Sequence, residues 1–359
     1  MRVYNFSAGP AMIPLEVLET ARKELTDWRS SGMSVLEVSH RGKDFVECAA
    51  EAEAAFRRVL GVPDNYKVLF LQGGASAQFE FIPMNLAAPC DTAAYINTGQ
   101  WSKKAIAAAK RQGLESIIVA DEAASSYTTV PAAGSFEVPA DAKYLHYTPN
   151  ETIGGVEFGY VPQTSVPLVA DFSSTIASRP IDVSKFGVIY AGAQKNLGPA
   201  GLTVVVVRDD LLGTARPETP AVFNWKTQAE ADSMLNTPPT FGIYLLGLIL
   251  RWIEETGGLT AMADRNLAKA NALYKAIDSS DFYSNPVAAD ARSWMNIPFI
   301  LADSSLDQLF LSEAKEAGLV NLKGHRSVGG MRASIYNAMP IAGVECLIDF
   351  MNDFEKEHA

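Results

Sequence analysis

Short apolar runs of three to five residues, separated by stretches long enough for a helix, constrain the fold of this chain more than any other feature. They occupy residues 68–71, 93–96, 116–119, 144–147, 168–170, 188–190 and 203–207. The last run reads TVVVV, and the lack of polar alternation indicates a strand that is buried on both faces. This order of elements predicts βα units and a mostly parallel sheet that is covered by helices on both sides.

The predicted helices divide the chain into two parts. Residues 45–60, which are rich in Ala and Glu, predict a helix, and an earlier helix begins at Pro14. From about Gly257 the pattern changes, because apolar residues at three- and four-residue spacing over 259–277 indicate a long amphipathic helix. The elements predicted after it are a strand at 293–300, a helix at 306–317, a strand at 332–335 and a helix at 344–355.

We therefore expect an α/β protein with two domains. The large domain covers residues 16–255 and holds the mostly parallel sheet between layers of helices. A small C-terminal α/β domain covers residues 256–359, and the N-terminal segment 1–15 joins the two. A chain of 359 residues with 48% hydrophobic residues has enough apolar material for such cores.

Composition and charge exclude several classes of function. The formal net charge of −11 argues against a nucleic-acid-binding surface, although a local cluster of Arg and His can still bind a small anion. Cys48, Cys90 and Cys346 form no CxxC pair, which favours a reducing compartment. The four histidines form no HExxH motif, so no metal is expected. No signal peptide is recognisable and the apolar stretch 241–253 is too short to span a membrane, so we expect a cytoplasmic protein.

The first candidate site follows the run at 68–71. In open sheets of this class, ligands bind beyond the carboxyl ends of the strands. The sequence there is LQGGASAQF, in which small residues let backbone N–H groups approach a ligand at the start of a helix. Ala75 and Ser76 are thus candidates for a phosphate site, although an ordinary tight turn also uses Gly and Ser.

Two charged residues stand at the ends of consecutive strands. Asp171 ends SVPLVAD, where it could hold a proton on a ring nitrogen or cap the next segment. Lys195 follows the next strand in GAQKNLG, where it could be a solvated turn residue or an amine that forms a Schiff base. Together they are the two protein groups that pyridoxal 5'-phosphate (PLP) requires, an amine for its aldehyde and an anion for its ring nitrogen. With the GGASA turn, they favour a PLP site.

Two further residues fit the same site. Trp101, in NTGQWS, could stack on a cofactor ring, although a lone Trp is more often part of a core. Thr152, in PNETIGG, could hydrogen-bond a ring hydroxyl, although it could also be a turn threonine.

A repeated His-Arg dipeptide predicts an anion site. One copy is in SHRGK and the other in GHRSVGG, and a further arginine follows in MRAS. Arginine binds carboxylate or phosphate with two parallel hydrogen bonds, and an adjacent histidine adds a donor. Each arginine could instead form a surface ion pair worth about 0–1 kcal/mol. The candidates are His40, Arg41, His325, Arg326 and Arg332.

A series of motifs over essentially the whole chain resembles the phosphoserine aminotransferase family, in the class V branch of the fold-type I PLP enzymes. In order, they are NFSAGPAMIP, SHRGKDF, LQGGASAQF, NTGQWS, PNETIGGV, ADFSS, GAQKNLGPAG, LNTPPTF and GHRSVGGMRASIYNA. The resemblance implies the PLP fold type I for the large domain and a homodimer with shared active sites. Some members carry arginine where Ser76 stands, which implies that phosphate binding here relies more on backbone N–H groups and the hydroxyl.

The resemblance also implies roles for cofactor-binding residues. Lys195 would form the Schiff base and then move the proton between Cα and C4′. Asp171 would bind the pyridinium nitrogen, Trp101 would stack on the ring and Thr152 would contact the ring hydroxyl. The phosphate would be held by Ala75, Ser76 and Gln194, and the phosphate of the neighbouring subunit's cofactor by Asn236 and Thr237.

For the substrates, the resemblance implies that Arg332 binds the α-carboxylate. The distal anion would be received by His40, Arg41, His325 and Arg326, some of them donated across the subunit interface. The implied reaction is reversible transfer of the amino group from glutamate to 3-phosphohydroxypyruvate, which gives O-phospho-L-serine and 2-oxoglutarate in L-serine biosynthesis. In some organisms the 4-phosphohydroxy-L-threonine step of vitamin B6 synthesis is also implied.

Three other interpretations stay open on the sequence. Another class V enzyme, such as a serine–glyoxylate aminotransferase, would share most of these features. A cysteine desulfurase needs a reactive cysteine on a mobile loop, and no cysteine of this chain stands in an evident basic environment. A doubly wound binding protein without catalysis would leave Lys195 as a solvated turn residue.

Overall fold

The structure is a computed structural model that describes residues 2–358. Its strands are β1 (Tyr4–Asn5), β2 (Tyr66–Leu71), β3 (Thr92–Asn97), β4 (Glu115–Asp121), β5 (Leu145–Tyr147), β6 (Asn150–Glu151), β7 (Val156–Glu157), β8 (Leu168–Asp171), β9 (Val188–Gly192), β10 (Thr203–Arg208), β11 (Tyr283–Ser284), β12 (Asn296–Leu301), β13 (Leu319–Val320) and β14 (Met331–Ser334). Its helices are α1 (Leu15–Glu24), α2 (Lys43–Leu60), α3 (Gly74–Leu86), α4 (Gln100–Arg111), α5 (Trp225–Glu230), α6 (Thr240–Glu255), α7 (Gly258–Asp278), α8 (Asp307–Glu316) and α9 (Ile341–His358).

Seven strands form the central sheet in the order β2-β10-β9-β8-β5-β3-β4. Strand β10 runs antiparallel to both of its neighbours, and the other pairs are parallel. The predicted α/β fold with a mostly parallel sheet is therefore confirmed. The TVVVV run lies in β10, where Val204 and Val206 face one apolar core and Val205 and Val207 face the other. Burial on both faces explains why this strand carries no polar alternation.

Helices cover both faces of this sheet. Apolar side chains of α2 and α6 pack on one face, and those of α3 and α4 pack on the other. The carboxyl ends of β2, β3, β5, β8 and β9 all lie at one edge, because β10 reverses direction between two strands that run the same way. Residues that follow these strands are thereby brought to one edge of the sheet.

A separate apolar core lies in the C-terminal part of the chain. It joins the second half of α7 with β12, β14, α8 and α9, and it includes Phe6 from the N-terminal segment. The first turns of α7 belong instead to the core of the central sheet, through Leu259 and Met262. We propose on this basis that the chain divides into domains near residue 255, with ranges 16–255 and 256–359 joined by 1–15. Residues 1 and 359 of these ranges lie outside the described residues.

Several predicted elements begin or end at slightly different residues. The strand predicted from residue 293 begins at Asn296, because the Ser293 hydroxyl accepts the backbone N–H groups of Met295 and Asn296 and forms a turn. The last helix begins at Ile341, directly after Pro340, and is longer than the predicted 344–355. Pro14 precedes α1 and does not occupy its first turn.

The connection between β6 and β7 contains a glycine that we expect to be sensitive to substitution. Gly155 has a φ of +73°, and a Cβ there would overlap the Pro298 ring and lie 2.7 Å from the carbonyl oxygen of Asn296. We expect Gly155→Ala to destabilise the protein by more than about 1 kcal/mol, since it combines backbone strain with a steric clash. Gly159→Ala is the control, because apart from its chain neighbours no described residue has a heavy atom within 4 Å of a Cβ at that position. Thermal unfolding midpoints compare the two, and equal midpoints would contradict the proposed packing.

Candidate active site

The lysine that follows β9 is buried. Lys195 is 8% exposed, and its Nζ donates a hydrogen bond of 2.6 Å to Thr152 Oγ1. Burial lowers the pKa of Lys195 to about 8, against the opposing influence of the Asp171 carboxylate. The interpretation of Lys195 as a solvated turn residue is therefore wrong, and its amine is suited to nucleophilic chemistry near neutral pH.

Asp171 occupies the end of the neighbouring strand β8. The residue is buried and pairs in register with Tyr190 of β9. Its Oδ1 accepts a hydrogen bond of 2.9 Å from the backbone N–H of Ser173, so part of its role is to form the local turn. Burial raises the pKa of Asp171, whereas hydrogen bonds from Ser173 and the charge of Lys195 act in the opposite direction. The carboxylate also lines the same cavity as Lys195.

This cavity collects most of the residues that the sequence predicted for a cofactor. Its walls include Ala75, Ser76, Trp101, Thr152, Asp171, Gln194 and Lys195. The Trp101 ring lies with its centroid 5.9 Å from Lys195 Nζ. The Trp101 Nε1 and Thr148 Oγ1 atoms are buried without a hydrogen-bond partner among the described residues. The cavity wall thus combines an aromatic side chain with polar atoms that lack a partner. Such a wall fits a ligand that has both an aromatic ring and polar substituents.

The phosphate candidates open helix α3. Gly73 takes a left-handed φ of +95° and turns the chain from β2 into the helix, so that Gly74, Ala75 and Ser76 form its first turn. No side chain of residues 2–358 caps this helix end. Its backbone N–H groups are thus available to a phosphate, and the helix dipole favours an anion there. These features fit the phosphate of PLP.

A positively charged cluster stands beside the cavity. The Nε of Arg332, on β14, is buried without a partner among the described residues, and the positive charge of Arg332 contributes to the lowered pKa of Lys195. His325 Nδ1 accepts the backbone N–H of Ser327 at 3.2 Å, so the ring proton of the neutral imidazole is on Nε2. Burial and the charges of Arg332, Arg326 and Lys104 lower the pKa of His325.

Seven predicted site residues are not among those that line the cavity: His325, Arg326 and Arg332 of the positive cluster, and four others. His40 and Arg41 stand in the turn before α2, and Asn236 and Thr237 are exposed beside the β2–α3 turn, where Gln72 Nε2 donates to the carbonyl oxygen of Thr237. None of the four lines the cavity wall that contains Lys195. One chain does not bring them to the lysine.

Sequence reasoning missed three polar features of the site. Lys104 Nζ lies 4.1 Å from the centroid of the Trp101 ring, and its position three residues later on α4 was a signal that could have been used. Glu151 is buried against the start of α4. His146 Nε2 and the Tyr190 hydroxyl are 2.8 Å apart, and burial lowers the pKa of His146 to about 3.

Comparisons with known proteins show the family to which the chain belongs. The family model described as aminotransferase class-V matches residues 3–347. A phosphoserine aminotransferase of Nitrosomonas europaea is 56% identical over 100% of both chains. The solved structure of a phosphoserine aminotransferase from Bacillus circulans subsp. alkalophilus has a TM-score of 0.97 and 48% identity, with 100% of this chain and 99% of that chain covered.

A further solved structure shows the cofactor in a relative. The PLP-bound phosphoserine aminotransferase from Trichomonas vaginalis has a TM-score of 0.93 and 44% identity to this chain. The match covers 98% of this chain and 100% of the relative. These matches extend over nearly the full length of the chain, so the likeness includes both apolar cores. This chain belongs to the phosphoserine aminotransferase family of the class V aminotransferases.

Proposed function

We propose that this protein is a PLP-dependent transaminase that transfers the amino group of glutamate to 3-phosphohydroxypyruvate, giving O-phospho-L-serine and 2-oxoglutarate in L-serine biosynthesis. The observation that carries the proposal is the buried amine of Lys195, which shares one cavity with the carboxylate of Asp171 and the ring of Trp101. The full-length likeness to phosphoserine aminotransferases supports the choice of substrates.

The residues of the cavity divide the work between holding the cofactor and moving a proton. When bound, PLP supplies an aldehyde for an amine and a ring that accepts electrons from the substrate Cα. Asp171 would keep the ring nitrogen protonated, which strengthens that electron acceptance. The N–H groups of Ala75 and Ser76, with Gln194, would hold the phosphate, and Thr152 would contact the ring hydroxyl. Lys195, with a pKa of about 8, can accept a proton at Cα and return it near neutral pH.

The positive cluster would bind the substrate. Arg332 has an unpartnered buried N–H and would take the α-carboxylate. His325 and Arg326 would receive the distal phosphate or carboxylate, since arginine and imidazole N–H groups bind both anions. The same pair of anions is present on 4-phosphohydroxy-L-threonine, so we extend the proposal to that substrate of vitamin B6 synthesis.

A homodimer would complete the site. His40, Arg41, Asn236 and Thr237 do not line the cavity of their own chain and are proposed to serve the cavity of a second copy. His40 Nε2 is buried without a partner among the described residues, which is consistent with a ligand or a second chain at that position.

A cytoplasmic location is also proposed. It rests on the three cysteines, which are all free in the described chain. No helix within residues 2–358 has the length and apolarity needed to cross a membrane. Burial raises the pKa of Cys48 to about 11, and no cysteine is among the described residues that line the cavity, so nothing in the site favours a desulfurase.

Removing the amine tests the central proposal. We expect the wild-type protein loaded with PLP to be yellow and Lys195→Ala to lose both this absorbance band and measurable transamination, because Lys195 is the one lysine among the described residues that line the cavity. Spectra before and after PLP addition provide the measurement. A wild-type protein that stays colourless with added PLP would show that the proposed function is wrong.

The pKa of Lys195 makes a second prediction. Labelling of cofactor-free protein by a brief exposure to PLP and borohydride should rise with pH with a midpoint near 8, because only the neutral amine reacts and burial lowers its pKa from 10.5. Lys269 is the internal control. Burial lowers its pKa to about 7, yet its Nζ donates to three backbone carbonyls, so we expect it to stay unlabelled. Peptide mass spectrometry distinguishes the two lysines, and equal labelling would contradict the assignment.

Substrate discrimination gives a third prediction. We expect Arg326→Ala and Arg41→Ala each to lower kcat/KM for phosphoserine and glutamate by about 10- to 100-fold, which corresponds to one lost charge-assisted hydrogen bond. Alanine as amino donor should change little, since it has no distal anion. Arg22→Ala, which removes an exposed arginine of α1, is the control. Equal losses for all three donors would argue against a distal-anion site.

A further inference from the structure

Helix α4, which carries Trp101, begins against a buried carboxylate from a different part of the chain. The side chain of Glu151 accepts hydrogen bonds from the Trp101 N–H at 3.0 Å, the Ser102 N–H at 2.9 Å and the Ser102 hydroxyl at 2.8 Å. Glu151 is only 1% exposed. These are the second and third residues of the helix, whose N–H groups have no partner within the helix itself.

The local sequence makes room for this contact. A helix N-terminus is commonly capped by a Ser, Thr, Asp or Asn side chain at the preceding residue. That residue here is Gly99, and a Cβ on it would lie 2.6 Å from Glu151 Cδ. The chain therefore lacks a local capping side chain at the point where Glu151 enters. The Ser102 hydroxyl completes the arrangement, because it also accepts the Gly99 N–H at 2.9 Å.

A capping role alone does not account for a buried carboxylate. Burial raises the pKa of Glu151, against the hydrogen bonds from Ser102 and Trp101 that favour its charged form. A serine at the capping position would accept one of these N–H groups without a buried charge. Glu151 is followed in the chain by Thr152, whose hydroxyl accepts the hydrogen bond from Lys195. One dipeptide thus contacts both the helix of Trp101 and the amine of Lys195.

We propose that Glu151 is a positioning residue for the cofactor ring. By holding the first turn of α4, Glu151 fixes the position of the Trp101 side chain at the cavity before the cofactor binds. The inference rests on the proposed function, because the ring that Trp101 would stack on is that of PLP. Glu151 acts on the ring through the backbone of Trp101, and its charge also raises the pKa of Lys195 against the effect of burial. Gly99→Ala, which keeps this charge, separates the two effects.

Two variants change the contact from its two sides. Glu151→Gln keeps the size of the side chain but turns one hydrogen-bond acceptor into a donor that faces an N–H group. Gly99→Ala leaves the carboxylate intact and displaces it by the added Cβ. Glu157→Gln is the matched control, since Glu157 is also a buried acid of the β6–β7 hairpin. Its carboxylate pairs with Arg179 and accepts the Trp294 N–H at 2.7 Å, and makes none of the contacts that Glu151 makes with α4.

The measurements are the Kd of PLP, the circular dichroism of the bound cofactor, and kcat and KM for phosphoserine. We expect Glu151→Gln and Gly99→Ala to weaken PLP binding by about 3- to 10-fold, the worth of an aromatic stacking contact. The cofactor band should lose dichroic intensity, and kcat should fall while KM changes little, because the anion cluster is untouched. Glu157→Gln should lower the unfolding temperature without changing Kd or the dichroic band.

A measurement without mutation gives an independent test. In cofactor-free wild-type protein, the amides of Trp101 and Ser102 should be protected from hydrogen exchange, although they are in the first turn of a helix. Exchange as fast as that of exposed amides would overturn the inference, as would unchanged Kd and dichroism in both variants. A wild-type protein that binds no PLP would disprove the proposed function, and the exchange rates would still decide whether Glu151 fixes this helix end.

Discussion

The amine of Lys195 is buried away from water, and the contacts around it offset the hydration free energy that the amine loses. An ammonium group that is moved into a protein interior loses several kcal/mol of hydration, and the group responds by releasing its proton more easily. The lowered pKa of about 8 expresses this balance, because the nearby Asp171 and Glu151 carboxylates recover only part of the loss. The hydrogen bond to Thr152 Oγ1 holds the amine in one place. An amine that is fixed and partly neutral is what a reaction with an aldehyde needs.

Buried asparagines next to the site residues connect the two apolar cores. Asn196, which follows Lys195, accepts the backbone N–H of Asn337 at 3.0 Å. Asn150, which precedes Glu151, donates to Asn296 Oδ1 at 2.8 Å. Amide side chains suit this position, because each can donate and accept without a charge to bury. The C-terminal part of the chain is thereby held to the segments that present the lysine and the acid.

The sequence predicted the parts of this structure that depend on local pattern or on strand ends. Apolar runs indicated the strands, and Asp171 and Lys195 could be paired because consecutive parallel strands end at the same edge of the sheet. Glu151 could not be found in this way, since it acts on backbone atoms of a helix about 50 residues earlier, and backbone contacts leave no complementary residue type in the sequence. The position of His40 and Arg41 was equally unpredictable, because a strand pattern says nothing about residues in a turn that precedes a helix.

Negative and positive side chains occupy different places at the cavity. This arrangement explains how a protein with a negative net charge can bind anionic ligands. The buried Asp171 carboxylate lines the cavity, where it would hold a cationic ring nitrogen, whereas the charges of Arg332, Arg326 and Lys104 act together on His325 beside the cavity. At physiological ionic strength, exposed charges more than about 8 Å apart are largely screened from each other. The net charge of −11 is therefore felt weakly at the cavity, and the local cluster determines the sign of the potential that an approaching substrate meets. A phosphate or carboxylate is attracted to the positive cluster, whereas the Asp171 carboxylate that would stabilise a cationic ring repels it.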